Sequence, residues 1–316
     1  MNALLKGLHP GVQFLLFIAM LLTFMGIGSL TALGIGTLVY NIPLVELQVV
    51  LAKPTPEHAA ALLWMNNITQ IFTFLLPVLA FYILFGRENI HGLLLRRGGI
   101  LILLAPLLMF FAGGVFDLSS QLNQWLIPEG SWLERTFKPT EELAEHLTSA
   151  MLSRESGLSI FVVFLSIAVI PALCEELTFR GVVQPLLAKM TKNIHVAIWL
   201  TAAFFSLIHM QFYGFLPRLL MGAMLGYMVI WSGSLWASIF AHFLNNAVAI
   251  ILYYQYGSLE APDGAAMSQW YSYLFSTVLL IFLLLHFIRN SRWPWLSFEY
   301  LGITSSQAGN DKAGNS

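Results

Sequence analysis

The sequence predicts an all-α protein, a polytopic membrane helix bundle of about eight transmembrane helices. Three observations lead there. Of 316 residues, 58% are hydrophobic and only 10% charged, where a soluble domain carries about a quarter charged. The mean hydropathy is +0.75. Apolar runs near the roughly 20 residues that cross a bilayer recur along the whole chain.

In order, these runs are 12–38, 63–85, 100–122, 158–190, 194–213, 215–231, 235–254 and 271–288. The first follows Lys6, as in a signal peptide. It is much longer than the roughly 7–15 apolar residues of a cleaved leader, so it is expected to stay as a helix, tilted or bent near Gly26, Gly28 and Gly34. The fourth is too long for one straight span. Pro171, Gly181 and Pro185 are expected to bend or break it, since proline removes an intrahelical donor. The connection 128–157 is the most polar. Within it 140–152 reads as a short amphipathic surface helix, with Glu141 and Glu142 suited to its N-terminus.

The organisation expected is an N-terminal set of helices with an acidic loop (1–157), a core (158–254), a last helix (255–303) and a disordered Ser/Gly/Asn-rich tail (304–316). An even number of spans puts both termini on one side. If that side is cytoplasmic, ten Lys/Arg lie inside and five outside, the asymmetry of a plasma-membrane (inner-membrane) protein with N- and C-termini in the cytoplasm. A net charge of −1 and no basic patch exclude nucleic acid as a partner. The bilayer is the partner that composition demands. The lone Cys174 excludes an intrachain disulfide framework.

Three polar clusters stand inside apolar runs: Glu175-Glu176-x-x-x-Arg180, Phe205-x-x-x-His209 and His242-x-x-x-Asn246. An ionisable side chain at the bilayer centre costs about 2.5–3.5 kcal/mol on insertion scales, so such groups face a bundle interior or a wet cavity. Segments four and five read as a hairpin turning at 191–193. Glu175 lies 17 residues before Lys192 and His209 lies 17 after it. At 1.5 Å per residue both are roughly 20–25 Å from the turn. His242 and Asn246, entering from the same face, lie roughly 12–18 Å deep. The depths permit one site.

Helical spacing sorts the roles. Glu176 and Arg180 are i,i+4 with the acid first, the better order for an ion pair, and are assigned to structure and positioning. Glu175, rotated about 100° away, is left for chemistry. Phe205 and His209 share a face, as do His242 and Asn246. Each residue also has a plainer reading. A single membrane histidine is more often a packed interhelical residue, and Phe205 alone is packing. Asn66, Asn67, Gln70 and Asn245 read as interhelical or interface groups. The weight rests on coincidence, because acid, imidazoles and carboxamide at one depth are costly unless used.

A desolvated Glu beside a His is a workable general base, and a second His with an Asn one turn on offers oxyanion donors. Peptide hydrolysis fits these parts. His-Glu-x-x-His is absent, no Gly-x-Ser-Gly lies in a span, and Asp117 is the one Asp within a span, so no aspartyl dyad is available. Cys174 beside Glu175 reads as packing. A zinc site of Glu175, His209 and His242 stays open as an alternative to a cofactor-free reaction. So do a proton-coupled transporter, for which no repeat symmetry is evident, and a non-catalytic membrane scaffold or immunity protein.

At these three motifs the chain resembles the CAAX-protease and bacteriocin-processing (CPBP, Abi) family of intramembrane endopeptidases. The motifs stand in the family's order and spacing, on segments four, five and seven. The resemblance implies that Glu175 activates the hydrolytic water with His209, while His242 and Asn246 stabilise the oxyanion. It implies a peptide or membrane-protein substrate and a choice between a glutamate and a zinc mechanism. Of these the glutamate mechanism is expected. Oligomeric state is left open.

Overall fold

The computed structural model describes residues 5, 7–86, 99–257 and 266–290. The tail expected at 304–316, and several basic residues counted above (Lys6, Arg87, Arg96, Arg97, Arg292 and Lys312), lie outside these residues. Helices and their connections make up the rest, with no strand among the described residues.

Helix α1, Pro10–Leu38, is one rod with proline at its first turn, where the missing N–H would have no partner anyway. It is continuous through Gly26, Gly28 and Gly34, and Gly28 admits a neighbour, since a Cβ there would sit 2.5 Å from Cβ of Phe72. After the short α2, Leu44–Ala52, comes the span α3, Pro56–Phe85. Helices α4, Ile100–Phe111, and α5, Gly113–Trp125, form a pair bent by 41° that together is long and apolar enough to cross. The surface helix α6 runs Trp132–Leu152, eight residues longer at its start than expected. Ser131 caps it by accepting from the backbone N–H of Glu134, and Pro139 does not interrupt it.

The long segment α7 spans Ile160–Thr191 as one helix; of the bend or break expected at Pro171, Gly181 and Pro185, the break does not occur. Wider π-type turns occupy Leu165–Val169 and Phe179–Val183, each ending just before a proline, Pro171 and Pro185. In α3 the π turn Ile71–Leu75 likewise precedes Pro77. The physical reason is local. Proline cannot donate to the carbonyl four residues back and its ring crowds that carbonyl, and one extra residue in the turn relieves both problems.

A tight turn with Lys192 in the left-handed region leads to α8, Ile194–Leu207, capped by Asn193, whose Oδ1 accepts from the N–H groups of His195 and Val196. Helices α9, Phe215–Ser232, α10, Leu235–Tyr256, and α11, Ala266–Asn290, complete the bundle. Among the described residues five helices are long and apolar enough to span, or six if the bent pair is one span. The shorter apolar helices Ile194–Leu207 and Phe275–Arg289 stand where the fifth and eighth segments were expected, so "about eight" counts apolar segments rather than full-length spans.

Large side chains turned outward, such as Leu15, Leu30, Leu38 and Phe161, are two-thirds or more exposed, which only a lipid environment makes tolerable. Inside, Phe17 meets Phe81 edge-on at 5.3 Å and Phe81 stacks on Phe85 at 4.5 Å. Between α3 and α7 the contacts are polar. Asn67 donates to Ser166 at 2.9 Å, Gln70 to Glu175 at 3.4 Å, and Thr178 to the carbonyl of Phe74 at 2.9 Å. The residue numbers rise together, so these two helices run parallel, as alternate crossings must.

Candidate active site

The carboxylates of α7 are deeply buried, with Glu175 4% exposed and Glu176 and Arg180 both at 0%. Arg180 Nη1 donates to Glu176 Oε1 at 2.7 Å, the ion pair expected from the i,i+4 spacing. Its Nη2 reaches across to the carbonyl of Gly222 on α9 at 2.8 Å. The guanidinium also lies 5.0 Å from the centre of the Phe205 ring, an attractive geometry for a cation over an aromatic face. Arg180 therefore ties α7, α8 and α9 together.

Glu176 has a second duty that spacing alone did not suggest. His242, on α10 and 3% exposed, donates through Nδ1 to the same Oε1 at 3.0 Å. That bond aims the opposite nitrogen at Glu175, whose Oε2 lies 3.9 Å from His242 Nε2. Of the two site histidines it is His242, rather than His209, that closes on Glu175.

His209 is not on a helix face with Phe205, as expected, because α8 stops at Leu207. The side chain folds back over the helix end, and Nδ1 lies 2.7 Å from the carbonyl of Phe205. The last carbonyls of a helix have no intrahelical partner, so the contact satisfies one of them. A carbonyl can only accept, so Nδ1 carries the proton and Nε2 is left available. Phe205 packs edge-on against both imidazoles, with ring centres 4.9 Å from His209 and 5.9 Å from His242.

Glu175, His209, His242 and Asn246 line one pocket of about 280 Å³. Asn245, read from sequence as an interhelical group, also lines it. Its amide donates to Asn246 Oδ1 at 3.4 Å, which turns that oxygen away from duty and leaves the Asn246 amide hydrogens for the pocket. The zinc alternative would use Glu175, His209 and His242. Among the described residues no group of three His, Cys, Asp or Glu side chains is gathered closely enough to hold an ion. Cys174 is buried, in keeping with a packing role.

Several residues that shape the site come from the N-terminal half. Gln70, read from sequence only as an interhelical or interface group, is such a group, and sequence reasoning missed the others. Gln70 holds Glu175 from α3. Asn123 pins the loop after His209 twice, donating to the carbonyl of Phe212 at 2.7 Å and accepting from the N–H of Leu216 at 2.9 Å. From α6, Phe137 stacks on Phe212 at 3.9 Å and Thr140 donates to the carbonyl of Met210. A signal existed for Gln70. With Asn67 and Thr73 it forms a polar stripe at three-residue spacing in an apolar run, which marks an interior-facing helix side. Asn123 and Thr140 carried no such mark.

Residues 157–248 match the family model described as Type II CAAX prenyl endopeptidase Rce1-like. No curated protein and no solved structure matches the chain significantly. The matched segment contains Glu175, Glu176, Arg180, Phe205, His209, His242 and Asn246, and excludes Gln70, Asn123 and Thr140. Residues 157–248 are thus similar to a Rce1-like CAAX prenyl endopeptidase domain, within a chain whose described residues include five helices long and apolar enough to cross a membrane.

Proposed function

We propose that the protein is an intramembrane endopeptidase that hydrolyses a peptide bond near the C-terminus, or in the membrane-proximal part, of a peptide or protein substrate. The gathering of Glu175, His209, His242 and Asn246 on one pocket wall is the observation that carries this reading. Glu175 removes a proton from water as its oxygen attacks the scissile carbonyl, with the available His209 Nε2 holding that water. His242, fixed by Glu176 through Nδ1, turns Nε2 toward the developing oxyanion beside the Asn246 amide. Donors so placed are worth about 10²–10³ each in rate. The C–N bond then breaks, and the proton held by Glu175 passes to the leaving amine.

A glutamate mechanism is favoured over the zinc version because no compact set of three His, Cys, Asp or Glu ligands is present among the described residues. The basic-residue bias supports both termini in the cytoplasm and α6 outside, in the plasma membrane.

The test uses the purified full chain in detergent and a fluorogenic peptide library, with and without a chelator. Cleavage that survives chelation and disappears in Glu175→Ala and His209→Ala is the expected outcome. Wild-type cleavage by Glu175→Ala would remove the proposal, and loss on chelation restored by zinc would replace the mechanism. No cleavage by the parent would leave the transporter and scaffold readings in its place.

A further inference from the structure

Among the residues lining the pocket, Arg218 alone carries a permanent positive charge. It sits in the first turn of α9, half-buried, and both of its hydrogen bonds end on neutral oxygens of Gln211. Nη1 donates to the backbone carbonyl at 2.8 Å and Nη2 to the side-chain Oε1 at 2.9 Å. Glu141 and Glu175 act on it through space, yet among the described residues neither pairs with it directly. Burying a guanidinium without an ion-pair partner is costly.

The surroundings hold this guanidinium in place. At Gly214 a Cβ would fall 2.5 Å from Nη2 and 3.0 Å from Cζ, so only glycine leaves the room it occupies. Gln211 grips it at two points, which leaves the remaining N–H donors of the fork for a ligand. The pocket wall also holds Glu175, which would repel an anionic substrate unless a cation stood beside it. A preset, unpaired fork is the form of group that recognises a carboxylate through paired charge-assisted bonds.

We propose that Arg218 is a specificity-determining residue that binds a carboxylate of the peptide substrate while the scissile bond lies against Glu175. The proposal rests on the protease reading above. It selects anionic over neutral peptides, with the carboxylate supplied either by the peptide's own C-terminus or by an acidic side chain near the cleavage point.

Three matched fluorogenic peptide libraries distinguish these sources on the full chain in lipid nanodiscs. One ends in a free carboxylate, one in an amide, and one in an amide with Asp among the last residues. The parent is expected to cleave one charged library with kcat/KM about 10- to 100-fold above the neutral one, mostly through KM, the range of a charge-assisted bond. Whichever charged library shows the gain names the source. In Arg218→Gln the charged-to-neutral ratio is expected to fall to near one. Gly214→Ala, which displaces the guanidinium, should lower the ratio in the same direction.

A residue that merely pinned the loop would slow all three libraries equally and leave the ratio where it was. Equal cleavage of the three by the parent, or a ratio unchanged in Arg218→Gln, overturns the assignment while the protease reading stands. Should Arg218→Gln fail to fold, the parent's own preference and the Gly214→Ala ratio still decide. No cleavage of any library by the parent overturns both.

Discussion

His242 hangs from Glu176: its Nδ1 lies 3.0 Å from Oε1, the same oxygen that takes the Arg180 guanidinium at 2.7 Å. One carboxylate oxygen therefore serves a structural ion pair and aims a site imidazole. Neither duty can be removed without disturbing the other.

Glu176→Ala accordingly lowers stability and activity together. It strands a fully buried Arg180 and frees the His242 ring, and breaking such a pair costs about 3–5 kcal/mol. Thermal unfolding in detergent, followed beside peptide cleavage, checks this. An inactive variant with the parent's stability would show that Glu176 serves chemistry alone.

Gln70→Leu is expected to keep the fold and lose about 10- to 100-fold in kcat, the scale of a small misplacement at a reacting centre. The variant removes the amide 3.4 Å from Glu175 Oε1 but leaves the neighbouring Asn67–Ser166 and Thr178–Phe74 contacts to hold α3 on α7. A kcat equal to the parent's would reduce Gln70 to a packing residue. This residue lies outside the matched 157–248 segment, so the result also measures how far the site depends on the N-terminal half.

Gly222→Leu should unfold or inactivate the protein, whereas Gly26→Leu should be close to neutral. A Cβ on Gly222 would lie 3.1 Å from the backbone Cα of Ala202, so a larger side chain forces α8 and α9 apart and pulls the Gly222 carbonyl from Arg180. Overpacking of this kind costs about 1–3 kcal/mol or more. Nothing lies within 4 Å of a Cβ on Gly26. Comparable unfolding midpoints for the two variants would contradict the close helix contact, which runs within one chain.

Glu141 on α6 makes stability depend on pH. Burial raises its pKa above the usual carboxylate value, and the charge of Arg218 only partly opposes this. A folded-state pKa above the unfolded one means that the folded chain binds more protons across that window. The favourable contribution is therefore complete below the unfolded pKa and is lost as pH rises through the folded one. Glu141→Gln removes this loss. Its unfolding midpoint relative to the parent should rise as pH goes from about 4 to about 7. A difference that is flat or falls across that range would mean that attraction to Arg218 outweighs burial.

Much of the architecture was legible because it depends on near neighbours in the chain. Apolar run length located the eight segments, since a bilayer must be crossed by helices that satisfy their own backbone. The i,i+4 spacing paired Glu176 with Arg180. Equal counts from Lys192 brought Glu175 and His209 to one pocket, as rise per residue requires.

What only the tertiary structure decided is which way each side chain faces across helices. The π turns of α3 and α7 each insert a residue, which turns everything beyond them by about 100° relative to a regular count. The end of α8 at Leu207 placed His209 on a loop, where a backbone carbonyl rather than a helix face orients it. Gln70 reaches Glu175 across 105 residues of chain, Asn123 reaches the carbonyl of Phe212 across 89, and Arg218 is held in the pocket by Gln211 of the neighbouring loop, contacts for which no local pattern codes. Helical period and bilayer thickness are properties of a segment. The rotation of one packed helix against the next is a property of the whole bundle.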